Sequence, residues 1–138
     1  MGSYKHIETT IGEYLAGRYT RAVEVGIGRN TTAAEILGCA GVLTRATDVK
    51  EIPDSPVTVT VDDVFDPVIS LYNQADVIYA IRPAIEMIPP LIALAQRTGC
   101  DLVVYHLGFE TYGDGGEKID CGVILHRYVR KSEPVKEG

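Results

Sequence analysis

The chain has 138 residues, of which 46% are hydrophobic and 23% charged, a composition typical of a globular protein with one buried core. Its 13 lysines and arginines and 19 aspartates and glutamates give a net charge of −6, which disfavours nucleic acids and anionic membranes as partners. Three widely spaced cysteines without a CxxC motif, and no long apolar run, predict a cytoplasmic protein without disulfides, a metal site or a membrane span. We expect a single domain over 1–138, with a core over about 4–128 and a frayed tail over 131–138.

Apolar spacing and turn residues predict alternating helices and strands along the first half of the chain. Ile7, Ile11 and Leu15 recur at helical intervals ahead of Gly17, and valine alternates with threonine up to Val61. The expected elements are a helix over 4–17, a strand over 22–25, a helix over 31–37 that ends at Gly38, and strands over 42–48 and 57–61. This order is typical of an α/β sheet with helices laid against it.

The second half of the chain continues the alternation and then breaks it. The expected elements are a short helix over 67–73, a strand over 76–81, a helical segment to Arg97 interrupted at Pro89 and Pro90, and strands over 101–107 and 122–128. The segment 108–120 is rich in glycine and predicts a loop or a hairpin arm. Because a parallel crossover usually needs a helix, we predict a doubly wound, mostly parallel Rossmann-like sheet whose last strand is antiparallel, at or near one end.

A glycine turn joins the first strand to the second helix. Gly26 and Gly28 lack side chains where a ligand would contact the backbone, and Glu24 stands two residues before the first of them. This pattern predicts a nucleotide-sized binding place, although a turn can also need glycine for its geometry alone. Thr31 stands where the dinucleotide fingerprint has its third glycine, which disfavours NAD, and no GKS or GKT sequence indicates a P-loop.

Acidic residues follow the second and third strands at the same predicted edge. Asp48 lies 22 residues after Gly26, the interval at which a carboxylate accepts hydrogen bonds from ribose in dinucleotide-binding folds. Asp62 and Asp63 follow the third strand, where one of them could meet an adenine amino group. Turn or capping roles are the alternatives for all three, and the sequence leaves open which of Asp62 and Asp63 faces the crevice.

Weaker candidates for catalysis follow the fourth and fifth strands. Arg82 could clamp a carboxylate or phosphate, or form a surface ion pair with Glu86. His106 ends the fifth strand, and Tyr112 follows in the glycine-rich loop with Glu110 nearby. These groups could supply acid–base chemistry, although a histidine at a strand end is more often structural. No spacing in the chain indicates a metal site or a Ser-His-Asp triad.

The order of these motifs is similar to that of a known family. A helix precedes the Glu24-Val-Gly-Ile-Gly28 turn, acids follow the second and third strands, and a proline motif ends the fourth. Over about residues 4–127 the chain resembles the Rossmann-like core of class I S-adenosylmethionine-dependent methyltransferases. The resemblance implies contacts to the methionine part from Glu24, Gly26 and Gly28, to the ribose from Asp48, and to the adenine from Asp62 or Asp63.

Other details resemble a smaller group. The Gly-Ile-Gly-Arg-Asn turn and the Ile81-Arg82-Pro83 strand end are similar to an uncharacterised archaeal family with a pared-down version of this core. Asn30 stands at the third loop glycine of methyltransferases, and Ile-Arg-Pro-Ala replaces the motif of amino-directed enzymes, so that substrate class is not supported. The chain is also expected to lack room for the family's usual helix and final hairpin.

These observations leave functions of different classes open. The first is a methyltransferase-like domain that binds S-adenosylmethionine or a related adenosine ligand; the cofactor-binding candidates are Glu24, Gly26, Gly28, Asn30, Asp48, Asp62 and Asp63. The second is a non-catalytic binding or interaction module that retains the fold, and an NAD-dependent enzyme is a more distant third. The sequence leaves open whether the chain is an enzyme, and whether it works as a homodimer or with a partner protein.

Overall fold

The computed structural model describes residues 3–131, with side chains from residue 6 onward. Within these residues, seven strands form one sheet: β1 (Ala22–Val25), β2 (Leu43–Asp48), β3 (Val59–Val61), β4 (Val77–Ile81), β5 (Asp101–Tyr105), β6 (Glu117–Asp120) and β7 (Ile124–Val129). They are accompanied by helices α1 (Ser3–Arg18), α2 (Thr32–Cys39) and α3 (Ile88–Thr98), and by short 3-10 turns at Ile69–Leu71 and Ile85–Met87. The frayed tail expected over 131–138 lies, apart from its first residue, outside the described residues. No helix in this part of the chain is long and apolar enough to cross a membrane.

The strands lie side by side in the order β3-β2-β1-β4-β5-β7-β6. The first five run parallel to one another, and β7 is antiparallel to both of its neighbours, β5 and β6. This is the mostly parallel Rossmann-like sheet with an antiparallel last strand that the sequence predicts. The chain moves outward in opposite directions from β1 and β4, and folds of this kind bind ligands at the carboxyl ends of the two strands where the order reverses.

The end of the sheet differs from the expectation in one respect. A final hairpin is present, because β6 and β7 pair across Gly122, whose φ of 107° is a conformation that favours glycine. The last strand is therefore covered by β6 on its outer side. The segment 108–120 is predicted as a loop or a hairpin arm, and its end at Glu117–Asp120 is such an arm; the sequence does not locate the strand because these four residues, Glu-Lys-Ile-Asp, carry no apolar pattern. Between β5 and β6 the described chain has a loop and no helix, so the hairpin forms without the helix that usually precedes it.

Two apolar cores cover the two faces of the sheet. Successive residues of β4 point to opposite faces, so Tyr79 packs in the core beneath α1 and α2 while Ile78 packs in the core beneath α3. Gly12 lets the two helices of the first face approach closely, since a Cβ at that position would lie 3.1 Å from Cβ of Ile36. Most side chains that the sequence singled out lie beyond these cores, where the strands end.

Some helices and strands in the first half of the chain begin or end at other residues than predicted, for local reasons. The third strand begins two residues later than expected, because the amide of Val57 donates a hydrogen bond to Oγ of Ser55 in a turn (3.3 Å). Helix α2 continues through Gly38, and the left-handed residue that follows it is Gly41, with a φ of 73°. Gly17 likewise does not end α1, which continues to Arg18.

The second half shows similar differences. The helix expected over 67–73 is only a 3-10 turn at Ile69–Leu71. Pro89 and Pro90 do not interrupt α3; they lie in its first turn, where backbone amides have no partner within the helix. The fifth strand ends at Tyr105, two residues earlier than predicted, and His106 therefore stands at the start of the following loop.

Candidate functional site

A cavity of about 410 Å³ opens at the carboxyl edge of the sheet, where the strand order reverses. We term it the β1–β4 cavity, because its lining residues follow the first four strands. Those that the argument uses are Gly26, Asp48, Val49, Asp62, Asp63, Phe65, Arg82, Glu86 and Met87. The tertiary structure thus brings together residues from four separate segments of the chain.

Gly26 of the glycine turn lines this cavity, whereas Gly28 does not. Gly26 and Gly28 have φ values of 72° and 57°, which L-residues with side chains rarely adopt. The amide of Gly26 donates to the carbonyl of Thr47 and that of Gly28 to Oδ2 of Asp48, both at 2.9 Å. A Cβ on Gly26 would lie 3.6 Å from Cε of Met87, so glycine keeps the space between the turn and this side chain open. The turn therefore contributes shape, while its amides hold the neighbouring strand.

Asp48 presents a carboxylate that is held in place by backbone amides. One oxygen accepts the amide of Gly28 at 2.9 Å, and the other accepts the amide of Lys50 at 3.1 Å. The side chain is half-buried and lines the β1–β4 cavity. A carboxylate oxygen accepts more than one hydrogen bond, so this fixed group can also accept bonds from two hydroxyls of a ligand.

The two acids after β3 have different environments, although both line the cavity. Asp62 is buried and accepts hydrogen bonds from the Tyr72 hydroxyl at 2.5 Å and from the Val68 amide at 3.0 Å. Burial, and then this carboxylate, raise the pKa of Tyr72. Asp63 is exposed, and only one of its oxygens has a partner in the described part of the chain, the amide of Phe65 at 3.0 Å. Asp63 is therefore the acid that is open to a ligand.

Besides Gly28, the candidates Glu24 and Asn30 do not line the cavity. Glu24 is buried on the face of the sheet that α1 and α2 cover, and it accepts a hydrogen bond from the Tyr79 hydroxyl at 2.7 Å. Burial raises the pKa of Glu24 to about 8, despite the opposing hydrogen bond from Tyr79. Asn30 is exposed, and its Oδ1 accepts a long hydrogen bond from the Thr32 amide at 3.4 Å at the start of α2. The structure thus gives both side chains local partners away from the β1–β4 cavity.

Arg82 lines the cavity and also connects it to the first helix. Its Nη1 lies 3.1 Å from both carboxylate oxygens of Glu8, a buried acid of α1 that is 1% exposed, and the ion pairs within residues 3–131 do not include one with Glu86. The guanidinium carbon stands 5.2 Å from the centre of the Tyr105 ring. Sequence reasoning missed Glu8, although its spacing of three residues from Ile11 places it on the apolar face of the helix.

A second cavity, of about 390 Å³, lies beside the first at the same edge. We term it the β5–β7 cavity; its lining includes Tyr105, His106, Phe109, Glu110, Lys118, Ile124 and His126. Nε2 of His106 lies 2.6 Å from the Tyr128 hydroxyl, which also accepts the amide of Tyr112 at 3.0 Å. Burial and, to a smaller extent, His126 lower the pKa of His106. Tyr112 contributes its amide to this network but is not part of the cavity lining.

His126 is a functional candidate that sequence reasoning missed. Its ring lies 5.0 Å from that of His106, centre to centre, and its Nδ1 lies 2.7 Å from the carbonyl oxygen of Gly115. The available signal was a histidine between Leu125 and Arg127 in a strand whose residues alternate between two faces.

A protein-family model matches residues 7–118 of the chain and describes an uncharacterised family, UPF0146. The chain belongs to this family. UPF0146 proteins of Archaeoglobus fulgidus and Pyrococcus horikoshii are 37% and 33% identical to it over 107 and 126 residues. These alignments cover 75% and 86% of this chain, and 78% and 96% of the relatives. The similarity to a small archaeal family, predicted from the glycine turn and the Arg-Pro strand end, is confirmed.

Solved structures with a similar backbone fold include the sugar N-methyltransferase KedS8 from Streptoalloteichus. That match has a TM-score of 0.49 and 13% identity, and it covers 86% of this chain and 55% of that one. A chain of the complex between the Haloferax volcanii Trm112 methyltransferase activator and a proposed methyltransferase matches with a TM-score of 0.46 and 15% identity, over 73% of this chain and 52% of that one. This UPF0146 chain thus spans about half the length of these structures, and the likeness concerns the backbone alone.

Proposed function

We propose that this protein binds S-adenosylmethionine or a closely related adenosine ligand in the β1–β4 cavity. One observation carries the proposal. Gly26, Asp48 and Asp63 follow three successive strands, and all three line one cavity at the point where the strand order reverses. These positions match those to which the resemblance to class I methyltransferases assigns cofactor contacts. The cavity also has the size range of small-molecule sites.

The ribose and adenine would lie along the side of the cavity formed by β2 and β3. Asp48 supports the ribose assignment, because two backbone amides hold its carboxylate and leave acceptor capacity for hydroxyls. Asp63 has a carboxylate oxygen without a partner in residues 3–131, and it suits an exocyclic amino group. Val49 and Phe65 are each 59% exposed, and a flat ring between them would cover apolar surface that water now contacts.

The amino acid part of the ligand would lie toward β4. Gly26 leaves room beside Met87, and Arg82 and Glu86 supply a positive and a negative group on the same side of the cavity. A zwitterionic amino acid needs one partner of each sign. Glu24 and Asn30 are not assigned a direct contact, because neither lines this cavity.

Isothermal titration calorimetry of the purified protein with S-adenosylmethionine, S-adenosylhomocysteine and NAD tests the proposal. We expect saturable binding of the first two at micromolar concentration and none of NAD. Adenosine alone should bind more weakly, because the contacts beside Gly26 and Arg82 would be lost. Binding of NAD alone, or of none of these ligands, would overturn the proposal.

Binding without methyl transfer is the second candidate function. It is favoured by the short loop that replaces a helix between β5 and β6, since this loop and the hairpin leave few elements to recognise a macromolecular acceptor. The free thiols of Cys39, Cys100 and Cys121 agree with a reducing compartment, and we retain the cytoplasm as the proposed location.

A further inference from the structure

The β5–β7 cavity is separated from the β1–β4 cavity by a single layer of side chains. Arg82 lines the first cavity and Tyr105 the second, and the two side chains are stacked at 5.2 Å. Arg82 follows β4 and Tyr105 ends β5, and these two strands are parallel neighbours in the sheet. Two cavities of similar volume therefore stand side by side at the functional edge of the sheet.

The second cavity contains a histidine whose protonation pattern is fixed by its surroundings. Nδ1 of His126 must donate to Gly115, because a carbonyl oxygen can only accept a hydrogen bond. In the neutral ring, Nε2 then carries the lone pair. Nε2 has no hydrogen bond within residues 3–131. It is not one of the fully buried side-chain atoms that lack a partner, so part of its surface remains in contact with solvent. His126 therefore offers the cavity one open acceptor of a proton.

The other groups around the cavity limit the kind of molecule that fits. Lys118 pairs directly with His126 in the hairpin, and residues paired in this way share a face of the sheet. Glu110 disfavours a second carboxylate. Phe109 is fully exposed and Ile124 is 44% exposed, and an apolar ring would cover part of both side chains. A neutral aromatic molecule with a hydroxyl group satisfies all of these features.

We propose that the β5–β7 cavity binds a small aromatic alcohol of the phenol type, whose hydroxyl donates a hydrogen bond to Nε2 of His126. This binding does not depend on the proposed function of the first cavity, because Arg82 and Tyr105 lie between the two cavities and no residue lines both. The aromatic ring would cover the exposed side chain of Phe109.

Nitrogen-15 NMR of the full chain, labelled at histidine, tests the inference with phenol and with anisole, its methyl ether, as probes. Phenol should move the Nε2 resonance of His126 and leave that of the exposed His6 in place. Anisole keeps the ring and lacks the donor, so it should bind about fivefold more weakly and leave Nε2 unshifted, as expected for one lost hydrogen bond.

Variants keep the test independent of folding. His126→Asn retains an N–H that can donate to Gly115 and removes Nε2, so phenol affinity should fall about fivefold while anisole affinity stays the same. His6→Asn is the matched control and should change neither the phenol affinity nor the anisole affinity. Equal affinities for phenol and anisole, or a phenol-induced shift that does not involve His126, would overturn the inference.

The two proposals fail separately. If calorimetry detects S-adenosylmethionine but phenol does not perturb His126, the phenol site is wrong and the cofactor site stands. If no adenosine ligand binds but phenol shifts Nε2 of His126, the proposed function is wrong and the phenol site stands.

Discussion

At the scale of single residues, Asp48 is the side chain whose environment suits a ligand contact most directly. Its two oxygens accept the amides of Gly28 and Lys50, so the carboxylate is oriented before any ligand arrives. A group fixed in this way loses little conformational entropy on binding. Asp66 is a neighbouring exposed aspartate without a side-chain hydrogen bond within residues 3–131, and it lies outside the β1–β4 cavity lining, so it provides a matched comparison.

We expect Asp48→Asn to weaken binding of S-adenosylmethionine by about 1–3 kcal/mol, the range for a lost hydrogen bond to a charged group. The asparagine oxygen can still accept one backbone amide, so the fold should persist. Asp66→Asn should leave the affinity unchanged in the same calorimetric titration. Equal affinities of the two variants would remove Asp48 from the binding site.

Glu24 gives a second prediction at this scale, through the pH dependence of stability. Burial raises its pKa in the folded protein from 4.5 to about 8, so folding takes up a proton between these values. The contribution of this group to stability is therefore complete below about pH 4.5 and is lost as the pH rises through 8. In Glu24→Gln the amide oxygen can still accept the Tyr79 hydroxyl, and no proton is involved.

The free energy of unfolding of Glu24→Gln should consequently rise relative to the unmodified protein as the pH increases from 5 to 8, by up to about 1.4 kcal/mol per pH unit. Urea denaturation across this range measures the difference. Glu13→Gln, at an exposed position of α1, is the control and should show no such trend. A constant difference for Glu24→Gln would contradict the raised pKa.

At the scale of elements, the packing of α1 on α2 depends on a glycine that supports a close approach. A Cβ at Gly12 would lie 3.1 Å from Cβ of Ile36 and 3.2 Å from the carbonyl oxygen of Ala33. At Gly17, in the same helix, a Cβ would have no neighbour within 4 Å. Since α1 also carries Glu8 to Arg82, its position affects the rim of the β1–β4 cavity.

Two alanine substitutions in α1 should therefore have opposite effects. Gly17→Ala should stabilise the protein by about 0.5–1 kcal/mol, because alanine loses less backbone entropy in a helix. Gly12→Ala should destabilise it by about 1–3 kcal/mol, because the backbone of α2 must move to admit the methyl group. Thermal unfolding of the two variants gives the comparison, and a stabilised Gly12→Ala would show that the two helices are not in close contact.

At the scale of the whole molecule, the parallel part of the sheet directs its strand ends to one edge. The β1–β4 cavity collects residues that follow four of these strands, and the β5–β7 cavity uses the next strand and the start of β7. Because β7 is antiparallel, its first residues reach the same edge, and they bring His126 beside His106. The hairpin thus provides the second cavity with one of its histidines without any additional domain.

The sequence indicated most of this architecture, for reasons that are local. Apolar periodicity located β1, β2 and β4 within one residue of their observed limits, and the missing helix after β5 predicted the antiparallel last strand. It allowed a hairpin arm within 108–120 but did not give the bounds of β6, whose four residues are mostly polar and are ordered by pairing with β7. The strand pattern did not say which face of the sheet Glu24 takes, and the structure places its side chain on the face that α1 and α2 cover.

The sequence by itself determined the fold class, the position of the glycine turn and the acids that follow β2 and β3, because these depend on spacing along a few neighbouring residues. Only the tertiary structure decided that Asp63 is open while Asp62 is engaged with Tyr72, that Arg82 pairs with Glu8, and that His126 faces a cavity. Arg82 and Glu8 are 74 residues apart in the chain, and His126 and its hydrogen-bond partner Gly115 are 11 residues apart. Such pairings follow from the order and direction of the strands, which no local pattern contains.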